Sequence, residues 1–242
     1  RASASAAASA ASAGAPTVLA LDFDGVLCDS VGESSLTGWR AAASLWPSVF
    51  SGAEAEKGRV VEEMRVVRPV VETGYENVLQ VRALLERRCT PEQMLGSWGE
   101  MLPALMSEWG LERAAMVDLF GSERDGWIAE DLEGWLAPNR FYDGVPAALR
   151  GAIADPSSDL YVVTTKQARF THQLLGSMAQ APVPLERIYS QTVSGRPKTD
   201  VLKQLQADAG DGARLVFVED KMSTLEKVCE DEGCGGGGVL LV

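Results

Sequence analysis

Cysteine is scarce in this chain. The four present, Cys28, Cys89, Cys229 and Cys234, are scattered, and none forms a Cys-x-x-Cys pair. That spacing argues against a structural zinc site and does not read as a disulfide framework, which points to a reducing compartment. Cys28 stands close to an acidic motif but has no partner base in view, so no thiol chemistry is assigned to it. Histidine is rarer still. His172 is the only one, it falls in a predicted helix, and it is read as structural. No apolar run approaches the roughly 20 residues that cross a bilayer. Positive charge is also short: Lys and Arg total 22 against 34 Asp and Glu, a net charge of −12. Such a surface repels polyanions and argues against a nucleic-acid partner. A small phosphorylated molecule is still admitted, because a metal ion can make one site locally positive.

Acids are absent from the opening stretch, "RASASAAASAASAGAP", which is dominated by Ala and Ser with one Arg. That composition cannot form a core. It reads as the end of an organelle transit peptide, with a disordered low-complexity tail as the competing reading. A first residue other than Met suits a processed product. The expected location is the chloroplast or plastid stroma, the cytoplasm being the alternative.

What the chain does have is a set of short apolar runs. "TVLALDF" from Thr17, "LYVVTT" (160–165), "RIYS" (187–190) and "RLVFVED" (214–220) read as buried parallel strands, with "VLLV" at the end as a fifth. Helical stretches alternate with the later four, so the fold class is α/β: a doubly wound, Rossmann-like parallel sheet. Between about Gly32 and Arg140 the β-rich runs stop and helical periodicity takes over. Thr90 and Pro91 mark one helix start, as N-cap and first helical residue. The predicted division is a tail at 1–16, an α/β core at 17–31 and 141–242, and an inserted helical module at 32–140. All six tryptophans fall in the insertion, where most are expected to pack a helical core.

In an open parallel sheet, ligands bind beyond the carboxyl ends of the strands. The first strand ends in Asp22 and Asp24, the second in Thr164 and Thr165, the fourth in Glu219 and Asp220. "SGRPKTDVL" places Lys198 at a helix start beside them. Four carboxylates at one edge need a cation, and an all-oxygen donor set selects a hard ion, Mg2+. Such a site serves phosphoryl transfer. One carboxylate attacks phosphorus, a second moves the proton of the leaving oxygen and of water, and lysine and threonine hold the phosphoryl group.

These motifs resemble the haloacid dehalogenase superfamily. Its first motif stands as Asp22-Phe23-Asp24-Gly25-Val26, its second as Thr164 in "YVVTTK", its fourth as Glu219-Asp220 in "VFVED". The resemblance covers 17–30 and about 141–242, and it implies a helical cap between the first two motifs, as in phosphoglycolate phosphatase and β-phosphoglucomutase. By that resemblance Asp22 is the nucleophile and a Mg2+ ligand. Asp24 is the general acid/base and lends the metal its backbone carbonyl. Thr164 binds phosphate, and Asp220 ligates Mg2+ with Glu219 beside it; Thr165, at the same strand end, is a further candidate for substrate binding. The third-motif cation has two fits, Lys198, which is favoured, and Arg196. Thr224 stands where many relatives carry a further Asp, a departure that the acidic pair 219–220 offsets.

The second acid, Asp24, favours a phosphatase or a phosphomutase over a dehalogenase, because an ester's alkoxide needs a proton and a halide does not. The expected function is hydrolysis of a small phosphorylated metabolite through an aspartyl-phosphate. The alternatives are a phosphomutase and a non-catalytic scaffold that binds a protein partner. One stretch of the insertion, "VRPVVETGYENV" (67–78), sets Arg68, Glu72, Tyr75 and Glu76 around a Pro and a Gly. It is open between a substrate-selecting surface and a solvated face. Its wording is similar to plastid-type members of the superfamily.

Overall fold

The computed structural model describes residues 16–210, 212–230 and 238–241. The low-complexity start, with its reading as a targeting segment, lies outside these residues. So does the glycine run that carries Cys234.

Five parallel strands form the central sheet: β1 (Thr17–Leu21), β4 (Ser158–Thr164), β5 (Ile188–Ser190), β6 (Arg214–Glu219) and β7 (Gly238–Leu241). Their order is β5-β4-β1-β6-β7, with β1 at the centre. Leu21 pairs with Val162 on one side and Val218 on the other. The register therefore aligns the carboxyl ends of the three inner strands along one edge. The other two strands, β2 (Cys28–Asp29) and β3 (Arg140–Phe141), form a short antiparallel ribbon where the insertion leaves and rejoins the core. The apolar runs form buried strands because both faces of the sheet are covered. Leu160, Val162 and Phe170 pack on one face, and Val18, Val163, Leu202 and Phe217 on the other.

The insertion is helical throughout. It holds α1 (Val31–Leu45), α2 (Pro47–Phe50), α3 (Lys57–Val67), α4 (Glu76–Leu85), α5 (Pro91–Glu108), α6 (Arg113–Glu130) and α7 (Leu132–Leu136). Thr90 caps α5 as expected and forms a reciprocal box: its hydroxyl accepts from the Gln93 N–H, and the Gln93 side chain accepts from the Thr90 N–H. Trp39 and Trp98 lie in the cap's own apolar cluster, with Trp46 and Trp109 packed against it. Trp127 and Trp135 instead join Phe23, Phe170 and Leu174 in the core of the α/β part. Helix α6 thus starts in the cap and ends on the sheet domain.

Five helices follow: α8 (Val145–Ala154), α9 (Ala168–Ser177), α10 (Gln191–Ser194), α11 (Lys198–Ala209) and α12 (Met222–Glu230). His172, on α9, donates from Nδ1 to the Val183 carbonyl at 2.8 Å, a structural bond. Among the described residues no helix is long and apolar enough to cross a membrane.

Candidate active site

The central strand delivers the two acids by its alternation. Asp22 continues the ladder, its N–H donating to the Val218 carbonyl at 2.9 Å. Phe23 points into the core and meets Phe141 edge to face at 5.8 Å, so Asp24 returns to the side of Asp22. The chain then turns on Gly25, whose φ is +86°. A Cβ there would lie 2.0 Å from Asp220 Oδ2. Only glycine admits both this backbone and this close approach.

Asp22, Glu219 and Asp220 converge, each offering an oxygen within 4.8 Å of the others. Lys198 Nζ reaches Asp22 Oδ2 at 3.1 Å and Glu219 Oε2 at 2.7 Å. Of the two competing cations Lys198 is therefore the one at the site. Arg196 bonds to Gln204 and to the Asp200 carbonyl. Burial disfavours the Lys198 ammonium, but the charges of Asp22 and Glu219 outweigh it and hold its pKa above the ordinary lysine value. Burial and then the charge of Asp22 push Glu219 up to about 7, against the pull of Lys198. Asp22 Oδ1 and Asp220 Oδ1 are buried with no hydrogen-bond partner. Both Glu219 oxygens, by contrast, have donors: Lys198 on Oε2 and the Lys221 N–H on Oε1 at 3.3 Å. Two orphaned carboxylate oxygens on residues that converge in this way are what a small hard cation would satisfy, and this donor set fits Mg2+.

Asp24 belongs to a second, adjoining group. Its Oδ1 accepts from the Ser30 hydroxyl and from Lys166 Nζ, the latter at 3.0 Å. Burial alone would raise its pKa; Lys166, Arg68 and the Ser30 bond together hold it well below the usual carboxylate range. Lys166 lies 3.9 Å from Glu33 Oε2. Arg124 donates twice to Glu33, at 2.7 and 2.6 Å, and Trp135 Nε1 and the Thr37 hydroxyl also donate to it. Cys28 is sealed beneath this group, and burial pushes its thiol up to about 12, which leaves it inert.

The two threonines separate. Thr164 ends β4, is buried, and its hydroxyl accepts from the Lys166 N–H at 3.1 Å. Thr165 is the one that lines the cleft. That cleft lies between core and cap and has two adjoining lobes, of about 40 and about 230 Å3, which share Asp24, Arg68, Glu72 and Thr165. Asp22, Lys198 and Asp220 line the larger one. The cap reaches the core through Lys221, whose Nζ donates to the Val71 carbonyl at 2.7 Å and pairs with Glu72 at 3.0 Å. The open stretch 67–78 divides likewise: Arg68, Glu72 and Tyr75 line the cleft, while Glu76 turns inward to Trp98 Nε1 at 2.7 Å.

Lys166, Ser30, Glu33 and Arg124 join the site without any local motif that marks them in the sequence. Lys166 directly follows the two threonines, but its side-chain hydrogen-bond partners lie 136 and 142 positions away.

No family model matches the chain, and no curated protein is similar to it in sequence. Solved structures are similar in fold. A predicted phosphoglycolate phosphatase from Haemophilus somnus 129PT superposes with a TM-score of 0.51 at 14% identity, over 93% of this chain and 84% of its own. A HAD-superfamily hydrolase, subfamily IA, variant 1, from Geobacter sulfurreducens PCA gives 0.50 at 16% identity, over 94% and 87%. With its parallel sheet, its inserted helices and the acids gathered at the strand ends, the chain has the fold of the haloacid dehalogenase superfamily.

Proposed function

We propose that this chain is a Mg2+-dependent phosphatase acting on a small phosphorylated metabolite. The convergence of Asp22, Lys198, Glu219 and Asp220, with two buried carboxylate oxygens left without donors, carries this reading. Asp22 and Asp220 would hold the metal, with Glu219 beside them and the Asp24 carbonyl as a further donor. When bound, Mg2+ screens these acids and draws in phosphate oxygens.

Asp22 attacks phosphorus, and the ester bond breaks as an aspartyl-phosphate forms. Asp24, ionised while Lys166 and Ser30 hold it, takes up a proton from solvent on leaving them, gives it to the departing oxygen, then takes one from the water that hydrolyses the intermediate and frees Asp22. For this Asp24 must exchange its bond to Lys166 for the leaving group, so the geometry described is a resting one. Lys198 holds Asp22 in line and, with Thr165, steadies the transferred group. The cap closes the cleft from bulk water.

The test is turnover of p-nitrophenyl phosphate with and without Mg2+, repeated with Asp22→Asn. Metal-dependent hydrolysis that disappears in the variant is expected. Metal-independent turnover, or a variant as active as the parent, overturns the reading.

A further inference from the structure

Nine arginines and one lysine lie between residues 31 and 136. Seven of those arginines and Lys57 form ion pairs with carboxylates. Among the described residues Arg68 and Arg113 have no such pair, and both line the larger lobe of the cleft. In a chain with a net charge of −12, carboxylates are not in short supply. Within the insertion, and among the described residues, the two cations without a carboxylate partner are the two that face the site.

The acids of the cleft do not serve them either. Asp22 is held by Lys198, Asp24 by Lys166 and Glu72 by Lys221. Asp220 is left for the metal. The remaining contacts of the two arginines are weak. Arg68 Nη1 donates to the Val71 carbonyl at 3.4 Å, and Arg113 has the neutral Tyr75 as its partner, its guanidinium 5.7 Å from the ring and interacting with the phenol side chain. Arg68 lines both lobes of the cleft together with Asp24, which sets it toward the reacting end. Lys227 adds a further positive charge on the core side of the same lobe.

We propose that Arg68 and Arg113 receive a second anionic group of the substrate. The metabolite then carries a carboxylate or a further phosphate in addition to the phosphoryl group that is transferred. Guanidinium forks suit either group, since both present paired oxygens. This inference rests on the cleft being a phosphatase site, and it names the class of molecule the cap selects. Lys221 contributes indirectly. By holding Glu72 it keeps that carboxylate from pairing with Arg68 or repelling the incoming anion.

The experiment compares three unhydrolysable phosphonates as inhibitors of p-nitrophenyl phosphate turnover in excess Mg2+: methylphosphonate, 3-phosphonopropionate and propane-1,3-diphosphonate. At least one of the two larger compounds should bind about tenfold or more tightly than methylphosphonate, the contribution of one or two charge-assisted bonds. Which of them does so separates a carboxylate from a second phosphate. The ratio should fall toward one in Arg68→Gln and in Arg113→Gln, and Arg113→Lys should retain part of it. Equal inhibition by all three in the parent protein, or arginine variants that leave the ratio intact, overturns the proposal. If the protein does not hydrolyse p-nitrophenyl phosphate, the phosphatase reading has failed separately. The same ratio is then read by calorimetric titration of the three phosphonates.

Discussion

Arg124→Met should cost this protein a large part of its stability, and the loss should depend on pH. Glu33 is fully buried and Arg124 is 3% exposed. The substitution removes two charge-assisted bonds from Glu33, each worth about 1.5–3 kcal/mol. Breaking a buried pair from one side costs about 3–5 kcal/mol, because a charge is stranded. Lys166 remains 3.9 Å from Glu33 Oε2 and moderates the loss, so about 3 kcal/mol is expected. For a chain of this size that is a fall in Tm of about 6–12 °C.

The sign with pH follows from Glu33. Burial raises its pKa, but Arg124 and Lys166 more than offset this and hold it below the ordinary value. A depressed carboxylate contributes stability above its unfolded pKa and loses it as pH falls toward the folded one. Without Arg124, burial dominates and the shift reverses. The deficit of the variant is then greatest near pH 8 and shrinks toward pH 5. Urea denaturation followed by tryptophan fluorescence at several pH values measures it. A deficit under about 1 kcal/mol, or one that does not change with pH, refutes the reasoning. Glu33→Gln combined with Arg124→Met should recover much of the loss, since no charge is then left stranded.

Other outcomes follow from single contacts. Gly25→Ala places a Cβ where Asp220 Oδ2 stands, at a φ of +86°; it should lower stability by about 1–3 kcal/mol and abolish Mg2+ binding in calorimetry. Lys198→Met leaves Asp22 and Glu219 facing each other without a cation. Its turnover of p-nitrophenyl phosphate should drop about 100-fold or more, with the far-ultraviolet circular dichroism unchanged. Thr90→Ala removes one half of the α5 capping box, costing about 1 kcal/mol in chemical denaturation without altering turnover.

The strand ends were legible because buried parallel strands are short apolar runs, and the residue after each run is the one delivered to the edge. Asp22, Asp24, Glu219 and Asp220 follow from that rule alone. Which threonine faces the cleft did not follow, since neighbours in an extended chain point to opposite sides and a shift of one residue at the strand end exchanges Thr164 for Thr165. Lys198 over Arg196 needed the turn before α11 to be seen. The Asp24–Lys166–Glu33–Arg124 chain was out of reach, because Glu33 and Arg124 are separated by 91 positions and nothing local couples them. Trp127 and Trp135 share the helical periodicity of the cap. Only tertiary packing shows that they belong to the sheet domain.

The ribbon of β2 and β3 sets Cys28 opposite Phe141 and Asp29 opposite Arg140. Both ends of a module of about a hundred residues therefore meet at one doorway, away from the hydrogen bonds of the sheet. Insertion or replacement there leaves the strand order intact, so the helical module can vary in sequence without disturbing the strand ends that carry Asp22, Glu219 and Asp220. Trp127, Trp135 and Glu33 mark the sill of that doorway. Any graft that exchanges the lid must keep them, or the sheet domain loses part of its own interior.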